Sequence, residues 1–352
     1  MNDKKFYQEI NSEFKTLLNE KVLDAKSIVI SSHTSPDDDS ISSVLGVYYY
    51  LTEILKINKN KINMLYTGEK LSTWEYFKNF SEIRFVDDIY KHISQDDIII
   101  FVDGSGWKRF SRSEEIANLK NYVICIDHHP TPENIFDFHL VATQYPACAE
   151  IIYRLFFEGE TLDKEICEIL LMGILGDTGN FRFIKPQQHA SFSVAERLVK
   201  DGQITVESLQ SKYQSMAINV YKALQEFMKN STIEQVDGWP DFLVSYLSPE
   251  YVKENKLDDN VVSEASGFFA PYLKGIREVE WGFTVIPKFA DGMCRISLRS
   301  IPNSVSVRDM MEKTGFGGGH DRAAGGKVKS GDPHEAIKIV TDWMKANKPV
   351  II

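Results

Sequence analysis

The chain has 352 residues, 43% of them hydrophobic, and a formal net charge of −10. That length suits two domains of roughly 150 residues, each able to bury a core. The acidic balance excludes a broad basic surface, and with it tight sequence-blind binding of long nucleic acid, which needs many phosphate contacts. The four cysteines, Cys125, Cys148, Cys167 and Cys294, form no C-x-x-C pair and read as reduced thiols. The opening MNDKKFYQEI lacks the apolar stretch of a signal peptide, and no apolar run reaches bilayer length. A soluble cytoplasmic protein without a membrane partner is expected.

In chain order, apolar groups at helical spacing predict a helix over residues 7–20. A short apolar run at 27–32 reads as a buried strand. It ends in Thr34-Ser35-Pro36, followed by Asp37-Asp38-Asp39-Ser40, and a helix is expected over 41–54. Aspartates in a first helical turn suit the helix dipole. Strands are expected at 61–66 and 83–86. Residues 97–102 form another apolar run, which stops at Asp103-Gly104-Ser105-Gly106. After a charged helical segment, residues 122–126 repeat the pattern and stop at Asp127-His128-His129-Pro130. Helices are expected over 148–157 and 163–175. Apolar strands alternating with helices predict an open, doubly wound parallel α/β sheet with helices on both faces.

The periodicity weakens near Lys200. Residues 201–229 read as a mostly polar helical connector between a catalytic domain over 1–200 and a smaller α/β domain over 230–352. The second domain has strand-like runs at 242–246, 280–286 and 293–298 and a closing helix over 333–346. Its most unusual stretch is Gly315-Phe316-Gly317-Gly318-Gly319-His320-Asp321-Arg322-Ala323-Ala324-Gly325-Gly326. Successive glycines let a backbone approach a ligand and present N–H groups to an anion. His320 and Arg322, with Arg295, Arg299 and Ser300 upstream, add phosphate donors. The spacing is neither a dinucleotide-binding nor a P-loop pattern.

Each strand of the first domain ends on a side chain that can hold a metal. The first gives His33, Asp37 and Asp39, a later one Asp103, and the next Asp127, His128 and His129. A helix end gives Asp177 in Gly176-Asp177-Thr178-Gly179. In open α/β sheets ligands bind outside the carboxyl ends of the strands. A lone Asp there is usually a turn residue or helix cap. It is the repetition of strand-then-ligand that points to a shared site. Imidazole with carboxylate suits Mn²⁺, Fe²⁺, Co²⁺ or Zn²⁺ better than Ca²⁺. Clustered carboxylates repel unless cations neutralise them. Two ions about 3.5–4 Å apart would do so and activate a water for attack on phosphorus.

Ser32 to Asp39 resembles the first motif of the DHH phosphoesterase superfamily. Asp103 matches the second, Asp127-His128-His129 the signature triplet, and Gly176-Asp177-Thr178-Gly179-Asn180-Phe181 the fourth. The run GGGH-x-x-A-A-G resembles the substrate motif of the DHHA1 domain. The two-domain layout resembles the nanoRNase and pAp-phosphatase branch. The resemblance implies two Mn²⁺ ions: one on His33, Asp37 and Asp103, the other on Asp39, Asp103, His128 and Asp177. It implies that His129 contacts the scissile phosphate and that Asp127 orients an imidazole. Arg299, Ser300, Gly317, Gly318, Gly319, His320 and Arg322 would bind substrate, with the active site in the interdomain cleft. Two departures stand out: Asp38 where relatives commonly carry Gly, and Pro146-Ala147-Cys148-Ala149-Glu150 where relatives are often Ser/Thr-rich. Asp38 is expected to point away from the metals.

The activity so implied is hydrolysis of short oligonucleotides to mononucleotides, and of 3′-phosphoadenosine 5′-phosphate (pAp) to AMP. Partners would be short RNA or DNA or small nucleotides, with no long duplex; a homodimer is compatible with this. Linear di-adenylate, cyclic dinucleotides or polyphosphate are alternative substrates on the same fold. A non-catalytic nucleotide-binding protein is a third reading, disfavoured because all six metal-ligand positions are filled.

Overall fold

A computed structural model describes residues 5–34, 36–68, 70, 72–104, 106–129, 136–213, 216–288 and 292–352. Ser35, Ser105 and Pro130, named in the motifs above, lie outside the described residues. The chain divides into two units, Met1–Ser215 and Met216–Ile352.

The first unit runs β1 (Lys5–Tyr7), α1 (Ser12–Asp24), β2 (Ser27–Ser31), α2 (Asp38–Tyr49), β3 (Ile62–Thr67), β4 (Arg84–Val86), β5 (Asp97–Val102), α3 (Trp107–Phe110), β6 (Tyr122–Asp127) and β7 (Phe138–Val141). It continues with α4 (Cys148–Ile152), α5 (Lys164–Asp177), α6 (Ser191–Gly202) and α7 (Val206–Tyr213). The seven strands form one sheet in the order β1-β7-β6-β5-β2-β3-β4. Every pairing is parallel. Alternate residues feed two cores. Ile28, Ile30, Ile100, Val102, Ile124 and Ile126 meet helices α1, α2, α4 and α5. On the other face Val29, Ile99, Phe101, Val123 and Cys125 are covered by Phe110, Ile116 and Ile89. Helices were expected on both faces. The second face carries the four-residue α3 and 3₁₀ turns instead.

Glycines set how closely the helices approach. A methyl at Gly173 in α5 would lie 2.6 Å from Ser42 Cβ in α2 and 2.7 Å from Ala149 Cβ in α4. One at Gly46 in α2 would lie 2.8 Å from Ile152 Cγ2. The missing side chains let α2 and α5 lie together, which brings the start of α2 to the end of α5. Both α2 and α4 continue into a single π-helical turn, over Tyr50–Ile54 and Tyr153–Phe157.

The second unit runs α8 (Ile218–Lys229), β8 (Thr232–Glu234), β9 (Phe242–Tyr246), α9 (Pro249–Glu254), α10 (Asp259–Phe269), β10 (Trp281–Lys288), β11 (Met293–Ser300), α11 (Val307–Thr314), β12 (Gly317–His320), β13 (Ala323–Val328) and α12 (Pro333–Ala346). Its six strands form a mixed sheet, β12-β13-β11-β10-β9-β8. Val220, Ala223 and Phe227 of α8, within the stretch expected as a connector, pack with Val262 and Phe269 of α10 on one face. Met310 and Met311 of α11 and Val340 and Met344 of α12 pack on the other.

The glycine run, which was not among the expected strands, is paired. It is a β-hairpin, with Gly317 opposite Gly326 and His320 opposite Ala323. A methyl at Gly317 would fall 2.1 Å from the Gly325 carbonyl oxygen, and one at Gly326 would fall 2.2 Å from that of Phe316. Two backbones this close tolerate only glycine, so the glycines that let a backbone approach a ligand here let two strands approach each other.

Candidate metal centre

The sheet order reverses between β2 and β5, which is where an open α/β sheet has its crevice. Ser31 pairs with Phe101. Continuing that register by two residues sets His33 beside Asp103. Ser32 Oγ donates to the Val102 carbonyl at 2.7 Å, and Asp103 N–H to the Ile126 carbonyl at 3.0 Å. The ladder thus carries His33, Asp103 and Asp127 out of three neighbouring strands side by side. Asp103 has φ +54°, a left-handed conformation that Asp tolerates but that costs energy. Strain of this kind persists where the surroundings hold a side chain to one place.

Asp37 caps α2, with its carboxylate accepting from Ser40 N–H. Asp39, in the first turn of α2, is fully buried. Its two oxygens accept the N–H groups of Cys148 at 2.6 Å and Ala149 at 2.8 Å, at the start of α4. Asp177 closes α5. Asp127 Oδ1 accepts from His128 N–H and contacts His129 Nδ1, each at 2.8 Å. The expected ligands converge in three groups: His33, Asp37 and Asp103; Asp39, His128 and Asp177; and Asp103 with Asp127, His128 and His129.

The separations are informative. His33 Nε2 lies 3.2 Å from Asp103 Oδ2 and 3.3 Å from Asp37 Oδ2. His128 Nε2 lies 3.3 Å from both Asp103 Oδ1 and Asp177 Oδ2, and 3.8 Å from Asp39 Oδ2. A charge-assisted N–H···O bond is shorter, about 2.7–2.9 Å. Two donors each about 2.1 Å from one ion, at 90–109°, stand roughly 3.0–3.4 Å apart. Asp103 turns one oxygen to each imidazole. Asp103 Oδ1, Asp127 Oδ2 and His128 Nε2 are buried without a hydrogen-bond partner. Such orphans cost about 1–3 kcal/mol each, and a bound cation would satisfy them. The donor set and its unsatisfied atoms fit divalent-metal binding.

The protonation pattern agrees. Burial opposes charge on His33, but its bonds to Asp103 and Asp37 outweigh that and push it up to about 10. Burial likewise opposes charge on His128, and Asp103 pushes it up to about 9. Burial would raise Asp103; the facing His128 and His33 instead hold it well below the usual carboxylate range. Burial and the charge of Asp103 push Asp177 up to about 7, and the same causes, with Asp177, raise Asp39 strongly. Without cations the cluster retains protons.

Sequence reasoning missed the role of residues 148 and 149. Lost hydroxyls drew attention there, yet it is their backbone N–H groups that grip Asp39. No side-chain pattern signals a backbone donor. Asp38 takes Trp74 Nε1–H at 3.2 Å and lies against Gly176, outside the three ligand groups.

In the second unit, Arg299, Ala323 and His320 stand in one row across β11, β13 and β12. Ser297, Gly325 and Gly318 form the next row on the same face. This gives a floor of small residues flanked by Arg299 and His320, with open space over Gly318; Gly319, at φ +146°, turns toward the hairpin bend. Burial, and Arg295 nearby, lower the Arg299 guanidinium from its usual value. Ser300 is buried and its hydroxyl donates to the Asp321 carbonyl at 3.4 Å. Arg322 donates to the carbonyls of Ser304 and Ile352, so its guanidinium fastens the hairpin bend to the chain's last residues.

A family model described as the DHH family, N-terminal domain, matches residues 27–174, and one described as the DHHA1 domain matches residues 240–346. The probable bifunctional oligoribonuclease and PAP phosphatase NrnA of Streptococcus mutans is 27% identical over 326 residues, spanning 92% of this chain and 96% of that protein. The bifunctional oligoribonuclease and PAP phosphatase NrnA of Bacillus subtilis is 25% identical over 323 residues, spanning 90% and 93%. The crystal structure of an exopolyphosphatase-related protein from Bacteroides fragilis shares the fold at a TM-score of 0.79, with 22% identity over 96% of this chain and 98% of that one. No helix among the described residues is long and apolar enough to cross a membrane. With both domains matched and the motif residues gathered at one sheet edge, the chain belongs to the DHH/DHHA1 superfamily of phosphoesterases.

Proposed function

We propose that this protein uses two divalent cations, Mn²⁺ by preference, to hydrolyse short oligonucleotides to mononucleotides and to convert pAp to AMP. The observation that carries the reading is Asp103, whose two oxygens face two imidazoles. One carboxylate shared in this way suits two ions rather than one. His33, Asp37 and Asp103 would hold the first, and Asp39, Asp103, His128 and Asp177 the second. A bound pair of such ions supplies Lewis acidity and lowers the pKa of water at the site.

The remaining groups act on the substrate. Asp127 Oδ1 lies 2.8 Å from His129 Nδ1 and fixes the orientation of the ring. So oriented, His129 contacts a phosphoryl oxygen of the substrate as charge develops there. In the second unit, Arg299, His320 and the open floor at Gly318 bind the substrate's other phosphate and sugar. NrnA proteins that span nearly the whole chain support the substrate class. The net charge of −10 fits a short substrate held by local cations rather than a long polymer.

A substrate panel tests this. Initial rates with Mn²⁺ would be compared for di- and tri-adenylate, a 24-mer RNA, pAp, cyclic di-AMP and polyphosphate. The dinucleotide, trinucleotide and pAp should be fastest. A preference for polyphosphate or cyclic di-AMP would overturn the substrate assignment while keeping the reaction class.

A further inference from the structure

Two short segments directly follow carboxylates of the metal centre, and they share a feature. After Asp103 comes α3, where Lys108 Nζ lies 5.4 Å from the centroid of the Trp107 ring. After Asp177 comes a turn in which Arg182 Cζ lies 5.7 Å from the centroid of the Phe183 ring. Both cations are exposed. Among the described residues neither forms an ion pair, although five aspartates crowd the adjoining centre. An exposed cation–π contact is worth only about 0.5–1 kcal/mol; Arg182 Nε also donates to the Gly179 carbonyl at 2.8 Å, so the Lys108 ammonium and the Arg182 terminal nitrogens are the groups available to a stronger anion.

Both segments are fixed in place. Thr34 N–H, next to His33, donates to the Arg109 carbonyl at 2.6 Å. Phe110 packs on Gly104, where a methyl would meet its ring at 3.0 Å. On the other side, Gly179, Asn180 and Phe181 have φ of +56°, +58° and +65°, three left-handed residues in succession. Thr178 Oγ1 accepts Phe181 N–H at 3.0 Å, and the Phe181 ring rests 5.0 Å from that of Phe192. The chain folds back so that Phe183 N–H reaches the Thr178 carbonyl at 3.0 Å and its ring covers Gly179. That ring is nevertheless 59% exposed. A large apolar surface that follows three strained residues, six residues after a metal-centre carboxylate, calls for a flat apolar ligand group.

We propose that these two cation–ring pairs form a nucleotide-gripping rim on the first unit, in which Trp107 and Phe183 stack on bases and Lys108 and Arg182 take the phosphates flanking the scissile one. The inference rests on the short-oligonucleotide reading above. Rings and cations in alternation are how proteins hold single strands without reading sequence, because every base has a π face. The rim therefore favours substrates with bases over bare polyphosphate and is indifferent to which base is present.

The test uses the full chain with Mn²⁺ and tri-adenylate. Phe183→Ala should raise KM on the order of ten-fold, with kcat within two-fold and bound metal unchanged. Phe183→Tyr should restore KM. Lys108→Ala and Arg182→Ala should raise KM and flatten its dependence on salt. Unchanged KM in all three alanine variants would overturn the rim, as would joint loss of kcat and metal, which marks a structural role. Those results require an active wild-type chain. If wild-type protein releases no mononucleotide, the short-oligonucleotide reading fails and takes this inference with it; active wild type with unchanged variants refutes the rim alone.

Discussion

Gly173→Ala sets two opposing effects against each other. Alanine is the better helix former by about 1 kcal/mol, so an exposed α5 would gain. The site is not exposed. The new methyl would stand 2.6 Å from Cβ and Oγ of Ser42 and 2.7 Å from Ala149 Cβ. Ser42 cannot simply turn aside, because its hydroxyl donates to the Ile169 carbonyl of α5 at 2.8 Å. Overpacking of this kind costs roughly 1–3 kcal/mol, and contacts with the Cβ atoms of Ser42 and Ala149, which cannot rotate away, put it at the upper end. The net expectation is a destabilisation of about 1–2 kcal/mol. The strain is relieved only by moving α2 away from α5, which separates Asp39 from Asp177. Urea unfolding followed by circular dichroism measures the first effect, and metal content after dialysis measures the second. Gly267→Ala in α10 is the control, since nothing lies within 4 Å of the added methyl. It should stabilise by about 0.5–1 kcal/mol. If Gly173→Ala is stabilised as much as the control and keeps its metal, the close approach of α2 and α5 does not set the site.

Cation uptake should release protons. In the cation-free protein at pH 7, His33 and His128 are charged, with values of about 10 and 9, and Asp177, at about 7, is half protonated. Ligands must shed those protons, so binding in weak buffer should release about two to three per chain, and affinity should rise between pH 6 and 9. Affinity that falls with pH would contradict the assignment. Burial pushes the Cys167 thiol up to about 12 and Cys294 to about 11, and lifts Cys125 and Cys148 well above their usual value. With every thiol protonated at pH 8, Ellman's reagent should label none within minutes and all four after denaturation; rapid labelling of any native thiol would refute this.

Strands β2, β5 and β6 were legible because each is a buried apolar run that ends abruptly on a polar ligand. Ile28 to Ile30, Ile99 to Val102 and Val123 to Ile126 need no partner information to be recognised. The three-residue β1 and four-residue β7 were not legible. They are too short for a period and exist by pairing with each other and with β6. The hairpin of β12 and β13 was not among the expected strands, for the opposite reason. Its glycines signal freedom in isolation, and only the contact of Gly317 with Gly325 and Gly326 shows them serving close pairing. The carboxylates and imidazoles of the site could be named from residue type and position. What grips them could not be. The amides that hold Asp39 and the carbonyls that hold Arg322 belong to the backbone, which is the same in every residue.

The most direct measurement is metal stoichiometry and mononucleotide release on the same samples. Wild-type protein and Asp103→Asn would be stripped with chelator, titrated with Mn²⁺ and assayed on di-adenylate. Wild type should bind two ions per chain and regain activity as the second binds, while Asp103→Asn should lose high-affinity binding of both ions together with hydrolysis. Full activity in the stripped protein, or an Asp103→Asn variant that keeps both ions and its rate, would contradict a phosphoesterase centre built around one shared carboxylate.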